Sequence, residues 1–133
     1  MFQNIVDLNL SSNNIEDINE LSTLSKIRIL NLSCNKIVNI TGLENMMATL
    51  EKLVLSHNRI ANLTYFKKIV LSGSNSPNLS HIDLNDNYIG DLSQVESLKN
   101  IASLSEIIFQ NKNSNNPMCD FENYQEAVLH YLP

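Results

Sequence analysis

The sequence predicts an α/β solenoid: a right-handed superhelix of short repeats, with a parallel sheet on the concave face and short helices and turns on the convex face. Three observations predict it. The pattern L-x-x-L-x-L-x-x-N recurs along the chain. Its copies start near residues 5, 27, 50, 79 and 104, at spacings of 22, 23, 29 and 25. Within each copy, apolar and polar residues alternate. Self-similarity at a period of about 20–50 residues is the mark of repeat architectures, in which each unit buries its apolar side against its neighbours.

Each element follows from the pattern. The first copy reads Ile5, Leu8, Leu10, Asn13, and the next three read Ile27, Leu30, Leu32, Asn35; Leu50, Leu53, Leu55, Asn58; and Leu79, Ile82, Leu84, Asn87. A fifth, Leu104, Ile107, Phe109, lacks the asparagine at the expected place. Period-two alternation, such as Leu8 and Leu10 inward with Asp7, Asn9 and Ser11 outward, predicts a strand, and stacked strands make a parallel sheet. The asparagine falls where the chain leaves the strand. Its amide can satisfy backbone groups of its own and the adjacent repeat, so Asn13, Asn35, Asn58 and Asn87 are expected to form a ladder.

A second apolar pair follows each asparagine, for example Ile37 and Ile40, and helical spacing then takes over, as in Phe66 with Ile69 and Val70. These residues are expected to back the sheet on the convex side, Met46 and Met47 among them as packing residues. The polar stretch from Leu71 to Pro77 reads as a loop, and the longer fourth repeat as a helix extended through Gln94–Ala102. After the fifth strand, Pro117 and Cys119 open a turn, and Tyr124, Val128 and Leu132 recur at helical spacing. A short amphipathic helix there would cover the last apolar layer. All 133 residues are accounted for as one domain, with a C-terminal cap over 116–133.

The L-x-x-L-x-L-x-x-N pattern is the leucine-rich repeat signature. The C-terminal segment resembles the cap of the SDS22-like class of these proteins, where an N-P-x-C turn precedes a Y-R-x-x-V helix ending in L-P. Asn116, Pro117, Cys119, Tyr124, Val128, Leu132 and Pro133 match, while Gln125 stands where arginine is usual. The polar run after Phe109 and the stretched penultimate repeats further resemble the N-terminal domain of leucine-rich repeat and coiled-coil centrosomal proteins. The resemblance implies a protein-interaction module in a cytoskeletal, centrosomal or ciliary scaffold. It equally allows a regulatory subunit that binds a protein phosphatase 1 catalytic subunit, or a ribonucleoprotein-associated subunit. Only residues 1–4 precede the first repeat, and the chain stops at Leu-Pro where the class commonly continues, so a fragment of a longer protein is expected.

Binding is expected on the outward strand positions: Asp7, Asn9, Ile29, Asn31, Lys52, Val54, His81, Asp83, Glu106 and Ile108. Ile29, Val54 and Ile108 are apolar where solvent is expected, with Asp83, Glu106 and Lys52 as a polar rim. Single exposed aliphatics are ordinary, however, and β-branched residues favour strands in any case. Beside this face, Asn14, Lys36, Arg59 and Tyr88 occupy the position after each ladder asparagine, a basic-aromatic edge that could grip an acidic partner such as a tubulin tail or simply be solvated. The residues taken as structural are Asn13, Asn35, Asn58, Asn87, Asn116, Pro117, Cys119 and Tyr124.

Other classes of function find no support. The net charge is −5, and no basic cluster exceeds Lys67–Lys68, which argues against direct nucleic-acid binding. No signal peptide or apolar run of membrane-spanning length occurs, so a cytoplasmic place is expected, at the centrosome or cytoskeleton if the resemblance holds. His57, His81 and His130 are scattered with no nucleophile beside them, and Cys34 and Cys119 lack metal-ligand spacing. Gly42, Gly73 and Gly90 are isolated, so no phosphate loop is present. No cofactor, metal or small-molecule substrate is expected, and catalysis is not. Five N-x-S/T sequons, at Asn9, Asn31, Asn39, Asn62 and Asn78, read as chance matches.

Overall fold

The computed structural model describes residues 4–71 and 77–132, apart from the side chains of Val70, Leu71 and Tyr131. Most of the loop expected at 71–77, the core place of Val70, the shielding of the first layer by residues 1–3, and Pro133 lie outside the described residues.

Five three-residue strands, β1 (Asp7–Asn9), β2 (Ile29–Asn31), β3 (Lys52–Val54), β4 (His81–Asp83) and β5 (Glu106–Ile108), form one parallel sheet in sequence order. The register is uniform: Leu8, Leu30, Leu53, Ile82 and Ile107 lie side by side across it. These central residues point into the core. Leu30 and Leu53 have no exposed surface, whereas Leu8 and Ile107, in the end repeats, are half-buried. Burying one such side chain fully is worth about 1.5–3 kcal/mol, so the inner repeats contribute most of the apolar stabilisation.

The convex side is built mostly of 3₁₀ turns, at Asn19–Thr23, Leu43–Asn45, Leu92–Leu98 and Pro117–Asp120. A period this short leaves room for little more than one helical turn per repeat. Helix α1 (Thr64–Leu71), in the long third repeat, is a true α-helix and buries Phe66 and Ile69. The segment expected as a helix over Gln94–Ala102 is instead a 3₁₀ stretch that begins at Leu92 and ends at Leu98. Asp91 sets its start, because its carboxylate accepts from the Ser93 N–H at 2.9 Å.

That cap belongs to a repeated device. Asp17 accepts from the Asn19 N–H, Asn39 from Thr41, Asn62 from Thr64 and Asp91 from Ser93, each at 2.7–2.9 Å. A short polar side chain that bonds the backbone two residues on starts the convex segments of the first four repeats. The sequons at Asn39 and Asn62 are therefore two copies of this turn, with the hydroxyl residue serving the local geometry.

Helix α2 (Tyr124–Tyr131) follows, with Tyr124, Val128 and Leu132 packed against the core as their spacing predicts. Burial and a hydrogen bond with Cys119 push the Tyr124 hydroxyl pKa well up, and the Cys119 thiol lies 3.6 Å from the Phe109 carbonyl.

Candidate functional site

The asparagine ladder positions the whole sheet. Asn58 Nδ2 donates to the carbonyls of Leu55 in its own repeat and Leu32 in the one before, while its Oδ1 accepts from the Ile37 N–H. Asn35 and Asn87 repeat this with Leu10, Leu32 and Ile15, and with Leu55, Leu84 and Ile60. Each rung thus reaches back to the preceding repeat. Asn13 departs from the expectation: it is exposed and, among the described residues, bonds only its own repeat, at the Leu10 and Ser11 carbonyls.

The fifth repeat does not lose its rung. Asn116, taken from the sequence as part of the cap, is fully buried in the ladder position. Its Nδ2 donates to Leu84 and Phe109, and its Oδ1 accepts from Asn87 and Ile89. The residues after it follow the ladder pattern too, Met118 filling the place of Ile89 with no exposure. Four extra residues between Phe109 and Asn116 displace the asparagine along the chain. They form a tight hairpin in which Gln110 bridges Asn115 and the Asn111 N–H donates to the Ser114 carbonyl at 2.8 Å. The recurring N-x-[apolar]-x-[D/N] run, at Asn87–Asp91 and Asn116–Asp120, was the available signal.

One residue before each of the first four ladder asparagines, the backbone is left-handed: Ser12, Cys34, His57 and Asp86 have φ of 53–59°. This bend turns the chain out of the strand. In the first three copies its N–H donates to the next repeat, at Ser33, Ser56 and Asn85.

On this frame the ten outward residues form two straight rows. One runs Asp7, Ile29, Lys52, His81, Glu106 and the other Asn9, Asn31, Val54, Asp83, Ile108. All ten share one sheet face, as the alternation predicts. Ile29 is 38% exposed, and Val54 and Ile108 are half-buried. Asn9, Asn31 and Asp83 each spend one side-chain oxygen on a backbone N–H two residues on. Their polarity is thus partly structural, which alternation alone does not reveal.

Ion pairs link neighbouring repeats, one of them, His81–Glu106, within this face. Arg28 pairs with Glu51, holding that carboxyl below its usual range, and His81 Nε2 lies 3.3 Å from Glu106 Oε2. His57 and Asp86, on neighbouring left-handed bends, are 2.6 Å apart. Between β3 and β5 the face dips into a depression of about 160 Å³, floored by Leu53 and Ile82 and walled by Lys52, Val54, His81, Asp83, Glu106 and Ile108. The edge of Lys36, Arg59 and Tyr88 also exists as a column, its backbone fixed by N–H donation to Ile15, Ile37 and Ile60; Lys36 is half-buried and the other two exposed.

Among the described residues, no group of three or more His, Cys, Asp or Glu could hold a metal ion, and no helix is long and apolar enough to cross a membrane. Cys34 and Cys119 are free thiols.

A family model described as Leucine Rich repeat matches residues 3–18, 23–46 and 47–63. The chain is 28% identical over 116 residues to an acidic leucine-rich nuclear phosphoprotein 32-related protein of Plasmodium falciparum (isolate 3D7), a match covering 86% of this chain and 39% of that protein. It is also similar to the crystal structure of an internalin C2 from Listeria monocytogenes str. 4b F2365, with a TM-score of 0.66, 27% identity, and coverage of 82% of this chain and 43% of that one. The chain spans about 39% of the length of the curated relative it matches. The sheet, the asparagine ladder and these likenesses give the chain the fold of a leucine-rich repeat solenoid, a fold that generally mediates protein–protein interaction and is typically non-enzymatic.

Proposed function

We infer that the chain is a protein-recognition module that holds its partner on the two outward rows of the sheet. The observation that carries this reading is the set of β-branched residues, Ile29, Val54 and Ile108, spread across that face among charged neighbours. Apolar anchors ringed by polar groups are the usual composition of an interface centre. The rigid ladder beneath keeps the rows in place, so binding needs little reordering of the protein.

Within that reading, the partner is a component of a cytoskeletal, centrosomal or ciliary scaffold, in the cytoplasm. The support is the resemblance carried by the polar run after Phe109 and the stretched penultimate repeats. A second reading places the partner in the nucleus, favoured by the name of the Plasmodium falciparum relative. Affinity capture from eukaryotic extract with the wild-type domain and an Ile29→Glu, Val54→Glu double variant, its folding checked by melting, tests these together. Loss of captured centrosomal or microtubule proteins in the variant is the expected result. Capture of nuclear proteins instead selects the second reading, and an unchanged set overturns the face.

A further inference from the structure

We propose that the depression between β3 and β5 is an anchor pocket for an arginine side chain of the partner. This rests on the concave-face reading above and names the chemistry of its contact.

The pocket has the parts an arginine needs. Its volume, about 160 Å³, suits one long side chain rather than a folded element. The backbone of Leu53 and Ile82 floors it, their side chains pointing into the core, and Val54 and Ile108 stand on either side of Asp83 in the same row, giving the methylene stem apolar flanks. At its rim are two carboxylates on different strands, Asp83 on β4 and Glu106 on β5. They are diagonal neighbours, with Cα atoms about 8 Å apart from the strand spacing and rise.

Each carboxylate keeps an oxygen for a ligand. Asp83 Oδ1 is taken by the Asn85 N–H at 2.9 Å, and Oδ2 faces no partner in the described residues. Glu106 Oε2 lies against His81 Nε2 at 3.3 Å, while Oε1 has no partner there. His81 is itself fixed by Ser80 Oγ at 2.7 Å from Nδ1, so the Glu106 side chain is held rather than free to swing. Two separated acceptors suit a planar, forked donor better than the single ammonium of lysine.

Lys52 gives the pocket a direction. It stands on β3, two strands from Glu106, and has no carboxylate within ion-pair distance among the described residues. A basic head is therefore drawn to the β4–β5 side and repelled from the β3 side.

Methyl NMR of the protein titrated with acetyl-Gly-Arg-Gly-amide tests the pocket, with citrulline, lysine and glutamate peptides as counterparts. The arginine peptide is expected to shift the methyl signals of Val54 and Ile108 saturably. Citrulline and glutamate peptides leave them in place, and lysine binds more weakly. The Asp83→Asn, Glu106→Gln double variant should weaken the arginine peptide by about tenfold or more. It keeps the Asn85 N–H acceptor and side-chain shape, so it should fold, which its melting curve checks. Glu126→Gln, on α2, is the charge control. Absence of a saturable shift, equal response to citrulline, or unchanged affinity in the double variant overturns the pocket. If Ile29→Glu, Val54→Glu abolishes partner capture in the face of any of these, the concave reading stands alone. If the arginine peptide binds while capture is unchanged by that variant, the depression takes arginine but not the partner's, and the proposal falls with the concave reading.

Discussion

The Asn116 side-chain oxygen accepts from the backbone N–H of Asn87 at 3.1 Å, so the last rung of the ladder holds the backbone of the rung before it. The same oxygen accepts from Ile89, at the same distance. Four buried backbone groups therefore depend on one amide.

Replacing Asn116 with Ala should cost about 2–4 kcal/mol in urea denaturation, because a buried polar group left unpaired costs about 1–3 kcal/mol and several are stranded here. Asn116→Asp should be at least as damaging, since it keeps the acceptor but loses both donations and buries a charge. Asn13→Ala, at the exposed first rung, should cost under about 1 kcal/mol. Equal costs at the two ends would contradict the ladder as drawn.

Deleting residues 111–114 should leave a folded protein. The deletion brings Asn116 to three residues after Phe109, the spacing of the other rungs, and, besides bonds internal to the segment, removes one side-chain bond to the rest of the described residues, from Asn85 Nδ2 to Ser114 Oγ. Stability should change by no more than about 1.5 kcal/mol. Collapse of the cooperative transition would show that the hairpin is needed for the rung.

Of the two glycines among the described residues, Gly42 is the less tolerant of a side chain. Its φ is +113°, and an added Cβ would sit 3.1 Å from both the Cα and the Oδ1 of Asn19 in the previous repeat. Gly42→Ala should lose about 1–3 kcal/mol, read from the midpoint of chemical denaturation. Cys34→Asn should act oppositely: Cys34 is exposed at φ 57°, where asparagine is favoured, and about 0.5 kcal/mol should be gained.

Acid should destabilise the convex side. Burial works against the charged form of Glu44, but the hydrogen bond from Tyr65, with backbone N–H bonds, outweighs it and holds the pKa below the ordinary 4.5. Ser93 holds Asp91 below its ordinary 3.8. A carboxylate with a depressed folded pKa contributes stability above its unfolded value, and that contribution is lost as pH falls through the folded one. Melting temperatures taken downward from neutral pH should therefore fall once pH drops below 4.5. In the Tyr65→Phe variant the drop should be smaller; an identical acid limb would remove Glu44 from the account.

Much of this was legible in the sequence because the solenoid's core is one-dimensional. Leu30, Leu53 and Ile82 sit in register because their repeats align, and alternation assigned all ten outward residues to one face. Two things were hidden. A fixed window of three residues after Phe109 cannot see Asn116, which requires recognising an insertion inside the motif. The pairs His57–Asp86 and His81–Glu106 lie 29 and 25 residues apart in sequence, and appear only when repeats of unequal length are superposed. The short helices and turns of the convex side were legible but their type was not, since apolar spacing of three suits a 3₁₀ turn and an α-helix alike.

The backward reach of Asn35, Asn58, Asn87 and Asn116 also gives the molecule a mechanical polarity. Repeat 1 has no rung of its own that grips anything else, so peeling it away breaks the bonds made by Asn35 and leaves every later rung intact. Releasing Asn116 is different, because it bares Asn87, Ile89 and Leu84 in the neighbouring repeat. Pulled from its two ends, the chain should unravel from the first repeat while the last acts as a clasp, and amide exchange should be fastest around Leu8 and slowest around Leu55.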